Sequence, residues 1–191
     1  MRLGRTTAAA VMAIAVLAGC SDGETANETL PPVSSSAAPT SEALQPLGPV
    51  EFPVPAAARE QTAIGANAFL GYYIELMNYS TRNLTTDSLR TLSGDCQTCR
   101  TFADGLDEVA SSGNTIEGAD FTINGSSEPL LRDDTAEFSM SLTQRNSRLL
   151  SSDGAPISEY DQADATFAGS GALLSWDATR TTWLMSDLTF Q

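Results

Sequence analysis

Apolar positions recur with a helical period in the first half of the chain, and later stretches switch to alternation. Ala66, Phe69, Leu70, Tyr73, Leu76, Met77 and Ser80 fall at i, i+3, i+4, i+7, i+10, i+11 and i+14, with Gln61, Asn67, Glu75 and Asn78 off that stripe. The spacing predicts one long amphipathic helix within 56–82, after Pro53-Val54-Pro55 and before the polar break Ser80-Thr81-Arg82-Asn83. Thr86 or Asp87 is placed to cap a short helix through Leu89 and Leu92. A third helix is predicted from about Asp95 to Ser111 on Cys99, Phe102, Leu106 and Val109, with Gly113 beyond its end.

After Gly113 the period becomes two. Ala119, Phe121 and Ile123 alternate with Asp120, Thr122 and Asn124, and the run from Ala136 to Thr143 alternates without exception. A third run passes through Ala163, Ala165 and Phe167 to Leu174 and Trp176, with a bend or bulge expected at Gly169 and Gly171. The last runs from Thr182 to Phe190, after a turn around Asp177-Ala178-Thr179-Arg180. Together these predict an α+β domain over 56–191: three N-terminal helices packed on one face of a curved antiparallel sheet of about four strands. Its 136 residues are near the commonest size of a single domain and enough to bury one core.

Ahead of the domain the pattern changes character. Arg2 and Arg5 precede the apolar run Ala8 to Ala18, and Leu17-Ala18-Gly19-Cys20 then leads into a polar tract. This is the layout of a signal peptide over 1–19. The apolar run has 11 residues, short of the roughly 20 that a spanning helix needs. Leu17 to Cys20 reads as a bacterial lipobox; resemblance to lipoproteins implies a diacylglycerol on the Cys20 sulfur and cleavage just before it, giving stable anchoring. Residues 20–55, rich in Ser, Thr, Ala, Pro and Glu, read as a disordered spacer reaching roughly 30 to 35 Å on average. The same composition suits an O-glycosylated stalk. The expected location is the extracytoplasmic face of a cell membrane.

Charge narrows the partners. The chain carries 24 acids against 10 Arg, with no Lys and no His, and a formal charge of −14. Removing Arg2 and Arg5 with the signal leaves −16. Such a surface repels phosphate backbones, so no nucleic acid partner is expected.

Two resemblances follow from these residues. Helix, short helix, helix and then a meander whose final hairpin joins Trp176 to Trp183 is similar to the cone-shaped domains of the nuclear transport factor type, also called cystatin-like. The stretches Gly65 to Tyr73, Leu76-Met77-Asn78-Tyr79 and Leu89 to Cys99 resemble an actinobacterial lipoprotein family known as a domain of unknown function. The likeness covers 53–112 and, more loosely, the strands. It implies location and fold and brings no activity.

With Cys20 taken by lipid, Cys96 and Cys99 remain as a C-x-x-C pair. Outside the cytoplasm the expected form is a local disulfide at the start of the third helix. The rival is a thiol–disulfide exchange site, since a helix N-terminus favours a thiolate; yet Asp95 opposes one, and the pair does not follow a strand of a βαβ unit. With no His and no further Cys, a zinc site is not expected, and neither is any cofactor. The missing His also removes Ser-His and Cys-His chemistry. Tyr72, Tyr73, Asp120 and Asp164 are the remaining candidates for proton transfer in a cone, although Tyr73 lies on the buried stripe and the two acids on polar strand faces. Asp104, Asp107 and Glu108, and likewise Asp133 and Asp134, lack the spacing of a calcium loop and read as solvated surface. Four Asn-x-Ser/Thr sites, at Asn27, Asn78, Asn83 and Asn124, read as chance beside a bacterial lipobox. The expected role is a binding or interaction module, not an enzyme, its concave sheet face holding a small hydrophobic ligand or an envelope protein. A small enzyme or a redox protein at Cys96 and Cys99 is the alternative; oligomeric state is left open.

Overall fold

Thr62 starts the long helix, its Oγ1 accepting from the Gly65 backbone N–H at 3.0 Å. In the computed structural model, which describes residues 44–191, this helix is α1, Ala63–Asn83. A separate 3-10 turn, Ala56–Arg59, precedes it, so the helix expected from residue 56 is interrupted at 60–62. Gly65 allows the break, because a Cβ there would collide with the Glu60 carbonyl oxygen. The signal peptide 1–19, Cys20 and the spacer as far as residue 43 lie outside the described residues.

Every residue of the predicted α1 stripe is buried, and so are Tyr72, Ile74, Asn78 and Thr81, which lie off it. The segment 44–55 accounts for Tyr72. Phe52 stacks on Tyr72 at 5.0 Å and on Tyr79 at 5.8 Å, and the Tyr72 hydroxyl donates to the Phe52 carbonyl at 3.0 Å. Leu47, Phe52 and Val54 pack on the core. The boundary expected at residue 56 therefore comes too late: three apolar side chains among prolines suffice to seat 44–55 on the domain. Arg59 ties the segment down, its buried guanidinium donating to the carbonyls of Gln45 at 2.5 Å, Arg180 at 2.5 Å and Thr181 at 3.1 Å.

Leu84 ends α1 in a left-handed conformation, φ 50°, its N–H bonded to the Ser80 carbonyl. The short helix α2 is Asp87–Leu92. Thr86 occupies its cap position, but its hydroxyl donates to Asp107 Oδ1 at 2.7 Å instead of capping. Helix α3 is Gln97–Ser111 with Cys96 as N-cap, two residues later than expected. Among the described residues no helix is long and apolar enough to cross a membrane.

Helices followed by antiparallel sheets make the domain α+β, but the expectation of about four strands in one sheet is corrected. Among the described residues, seven strands form two sheets. The larger pairs β2 (Phe121–Ser126), β4 (Thr135–Gln144), β6 (Ala165–Asp177) and β7 (Thr182–Thr189) in that order, with β3 (Leu130–Arg132) also on β4. The smaller pairs β1 (Thr115–Gly118) with β5 (Ser147–Leu150). These two are the continuation of the β2–β4 ladder beyond a bend. Gly118 and Ala119 both take positive φ, 77° and 65°, and a Cβ at Gly118 would collide with the Asn146 carbonyl oxygen, which accepts from Ala119 N–H. The strand expected from Ala119 thus starts at Phe121. A second irregularity lies in β6, where Met140 pairs with Ser170 but Leu142 with Phe167, leaving an extra residue beside Gly169.

Ala136, Phe138, Met140 and Leu142 alternate inward along β4. They join Phe69, Tyr73, Leu174, Trp183 and Met185 in one core between α1 and the larger sheet.

Candidate functional site

The four proton-transfer candidates separate into two places. Tyr73 is fully buried, and its hydroxyl and the Ser93 Oγ lie 2.7 Å apart. Burial pushes its phenol up to about 12, with the Ser93 hydrogen bond acting the other way. The Tyr72 phenol is likewise pushed up to about 12 by burial, its proton held by the Phe52 carbonyl. Asp120, half-buried, and Asp164, exposed, lie instead at the strand bend. Asp120 pairs with Arg82 at 2.5 Å; Asp164 accepts from Asn146 N–H at 2.6 Å and lies 4.0 Å from Arg145 Nε. The structure brings the two acids to one bend and leaves both tyrosines inside the core.

Cys96 and Cys99 are disulfide-bonded, and both are buried. The Cys96 sulfur also accepts the Cys99 N–H at 3.1 Å, doing the work of a cap side chain. Burial of both sulfurs leaves an incoming thiolate no direct approach. The acidic cluster on α3 is engaged: Arg90 donates to Asp104 at 2.7 Å and to Asp107 at 2.6 Å, and the guanidinium and the Thr86 hydroxyl hold the Asp107 carboxyl below its ordinary range. Asp133 and Asp134 lie in the β3–β4 connection, Asp133 with φ 49° and the Asp134 carbonyl accepting from Trp176 N–H at 2.7 Å. No group of three or more potential metal ligands occurs among the described residues.

The middle of the larger sheet's core face is solid, since Phe69, Tyr73, Phe138 and Trp183 are all buried there. Open space lies beyond the bend, where α3 faces the smaller sheet across a cleft of about 230 Å³. Phe102, Leu106 and Val109 of α3 form one wall, with Phe121 at the base and Ile116 and Leu149 opposite. The bend makes the cleft by turning β1 and β5 out of the plane of β2 and β4. Asn78 fixes the base: its Oδ1 accepts from the Phe121 N–H at 2.7 Å and its Nδ2 donates to the Phe121 carbonyl at 2.9 Å. A polar side chain off the stripe thus replaces a neighbouring strand at the edge of β2.

Gln144, Arg148, Tyr160 and Gln162 border the cleft. Sequence reasoning missed these residues: Arg148 lies in β5, too short to show an alternation, Gln144 is the last residue of β4, and Tyr160 and Gln162 lie in the connection between β5 and β6. The one signal was on α3, where Phe102 and Val109 of the predicted stripe stay only half buried. A wider polar hollow of about 610 Å³, lined by Glu117, Asp120, Arg145 and Arg148, adjoins on the other side of the bend.

No family model matches the chain, and no curated protein does either. The solved structures similar to it include the intermembrane space region of chloroplast protein ARC6, at 13% identity and a TM-score of 0.48, the match covering 69% of this chain and 97% of that one.

Proposed function

We propose that the chain is a membrane-anchored extracytoplasmic lipoprotein, held by lipid on Cys20, whose α+β domain is a binding module of the cystatin-like cone kind. It belongs, in this reading, to the actinobacterial lipoprotein family that its helical half resembles. The observation that carries the binding role is the apolar cleft between α3 and the smaller sheet, a concave space with a few convergent polar groups at its edge. Its occupant is a small hydrophobic ligand or an apolar side chain of an envelope partner. The sequestered phenols and the buried disulfide favour this role over proton-transfer or thiol-exchange chemistry.

Two measurements test the two halves of the proposal. Feeding cells an alkyne-tagged palmitate should label the intact chain and leave Cys20→Ser unlabelled; equal labelling of both, or of neither, removes the anchor. Titrating decanol into the full chain carrying Cys20→Ser should shift amide resonances at Phe102, Val109, Ile116 and Leu149. Shifts scattered over the surface, or none, would remove the cleft as a binding site.

A further inference from the structure

Among the described residues Arg59 is the only buried arginine, at 9% exposure, and none of its donors reaches a carboxylate there. Its Nε and its two terminal nitrogens donate to the carbonyls of Thr181, Gln45 and Arg180. Carbonyl dipoles satisfy donors but bring no formal charge, and a buried charge without a counter-ion is costly. Burial accordingly lowers the guanidinium's pKa from its ordinary value. The turn that supplies two of the three carbonyls carries a second cost, because Thr181, a β-branched residue, takes φ 51°, a conformation that favours glycine.

Both costs fall at one open hollow. Gln45, Arg180 and Thr181, which accept from the guanidinium, all line a space of about 510 Å³, so the guanidinium is the part of Arg59 that reaches it. No Asp or Glu lines that space, although the chain has 24 acids. The Arg180 guanidinium is engaged elsewhere, with the Thr91 carbonyl at 2.9 Å and Asp177 at 3.5 Å. Arg59 therefore supplies the hollow's positive charge. Two of its five N–H groups remain, one on each terminal nitrogen, the number that the two oxygens of one carboxylate accept. Leu44, which is exposed, and Leu47 give the hollow an apolar border.

We propose that this hollow binds a monocarboxylate carrying an apolar group, the carboxylate on the Arg59 guanidinium and the apolar group against Leu44 and Leu47. A single uncompensated cation suits a monoanion better than a phosphate dianion. A small free acid and the C-terminus of a polypeptide share this chemistry. The site has no lining residue in common with the apolar cleft between α3 and the smaller sheet, and neither depends on the other.

Titrated into the full chain carrying Cys20→Ser, N-acetylleucine should bind roughly tenfold more tightly than N-acetylleucinamide, which has the same shape and no charge. It should also shift the Arg59 Nε–H resonance. 4-Methylpentanoate tells the two sources apart: affinity equal to that of N-acetylleucine supports a free acid, and weaker binding supports a polypeptide end. Arg59→Gln would loosen residues 44–55 as well, so the informative variant is Thr179→Glu, which keeps Arg59 and adds an acid at an exposed position of the hollow. It should abolish binding of the acid and leave the urea midpoint unchanged. Equal binding of acid and amide, an Arg59 resonance that does not move, or full binding in Thr179→Glu would overturn the site. Glu42, three positions before Gln45, lies outside the described residues. A tenfold gain in affinity on Glu42→Gln would show that the chain's own carboxylate holds the guanidinium, and would overturn the external ligand.

Discussion

The two ends of this domain are built from the same chain pattern and finish in opposite states. On one side α1 lies over β4, β6 and β7, and Phe69, Tyr73 and Trp183 leave no room between them. On the other, α3 faces β1 and β5 with Phe102 and Val109 only half covered. Side-chain supply does not explain the difference, since α3 carries its own apolar stripe. The sheet does: β2 and β4 pair beneath the core, but the positive φ at Gly118 and Ala119 turns β1 and β5 into a separate two-stranded sheet that does not close on α3. The closed end is decided by large side chains, and the open end by backbone geometry at two residues.

That contrast fails first, if it is wrong, at Trp183. Its ring is 1% exposed and its Nε1 donates to the Glu60 carbonyl at 2.9 Å, across the break between the 3-10 turn and α1. Trp183→Ala should lower stability by about 3–5 kcal/mol, read as a shift of the urea midpoint with little change in slope. A loss below about 1 kcal/mol would mean that the closed end is not held by packing.

The open end has its own critical position. Gly118→Ala forces a side chain onto φ 77° and into the Asn146 carbonyl. The left-handed backbone alone costs roughly 1–3 kcal/mol, and the collision adds to it. Because the strain sits in the bend, the amide resonances of β1 and β5 should move while those of β4 and β7 stay. If the whole sheet responds equally, the bend is not the separate device described here.

How much of this is legible in the chain follows the same division. The closed end announces itself, because a stripe such as Ala66 to Ser80 is a sum over many positions and one error does not erase it. The open end does not, because β1, β3 and β5 have three or four residues each and none of them is fully buried. Gly118 was visible as a residue, but its φ depends on Asn146, 28 positions later. Asn78 was readable as polar and off the stripe, yet its partner is the backbone of Phe121. Phe52 gave too little apolar content among prolines to be separated from the spacer. The disulfide was legible because two cysteines three apart allow one pairing.

Alkali sharpens the comparison inside the closed end. The Tyr73 phenol, raised to about 12 by burial, keeps its proton when an unfolded chain, near 10, has lost it. Its contribution is therefore intact below pH 10 and is lost as pH rises from 10 towards 12, by about 2–3 kcal/mol for a two-unit difference. Tyr72 acts in the same direction. Urea midpoints between pH 9 and 12 should fall in the wild type and fall less steeply in Tyr73→Phe. Identical pH dependence in the two would show that Tyr73 titrates as a solvent-exposed phenol.

The smallest effect is expected where the two ends meet, at the disulfide. It joins residues only three apart in sequence, so the chain-entropy contribution is at most about 2 kcal/mol. The start of α3 also has other restraints. Gly94 N–H donates to the Met185 carbonyl at 2.7 Å, which fixes the α2–α3 turn to β7, and Arg100 donates to the Asp95 carbonyl at 3.0 Å. A serine at position 96 would still accept the Cys99 N–H as an N-cap, a role for which Ser is among the best residues. Cys96→Ser with Cys99→Ala should accordingly cost less than 2 kcal/mol and leave decanol binding unchanged, since Phe102, Leu106 and Val109 begin one turn further along. A loss as large as that of Trp183→Ala, or a cleft that no longer binds, would mean that the disulfide positions the whole of α3 and that the open end depends on it.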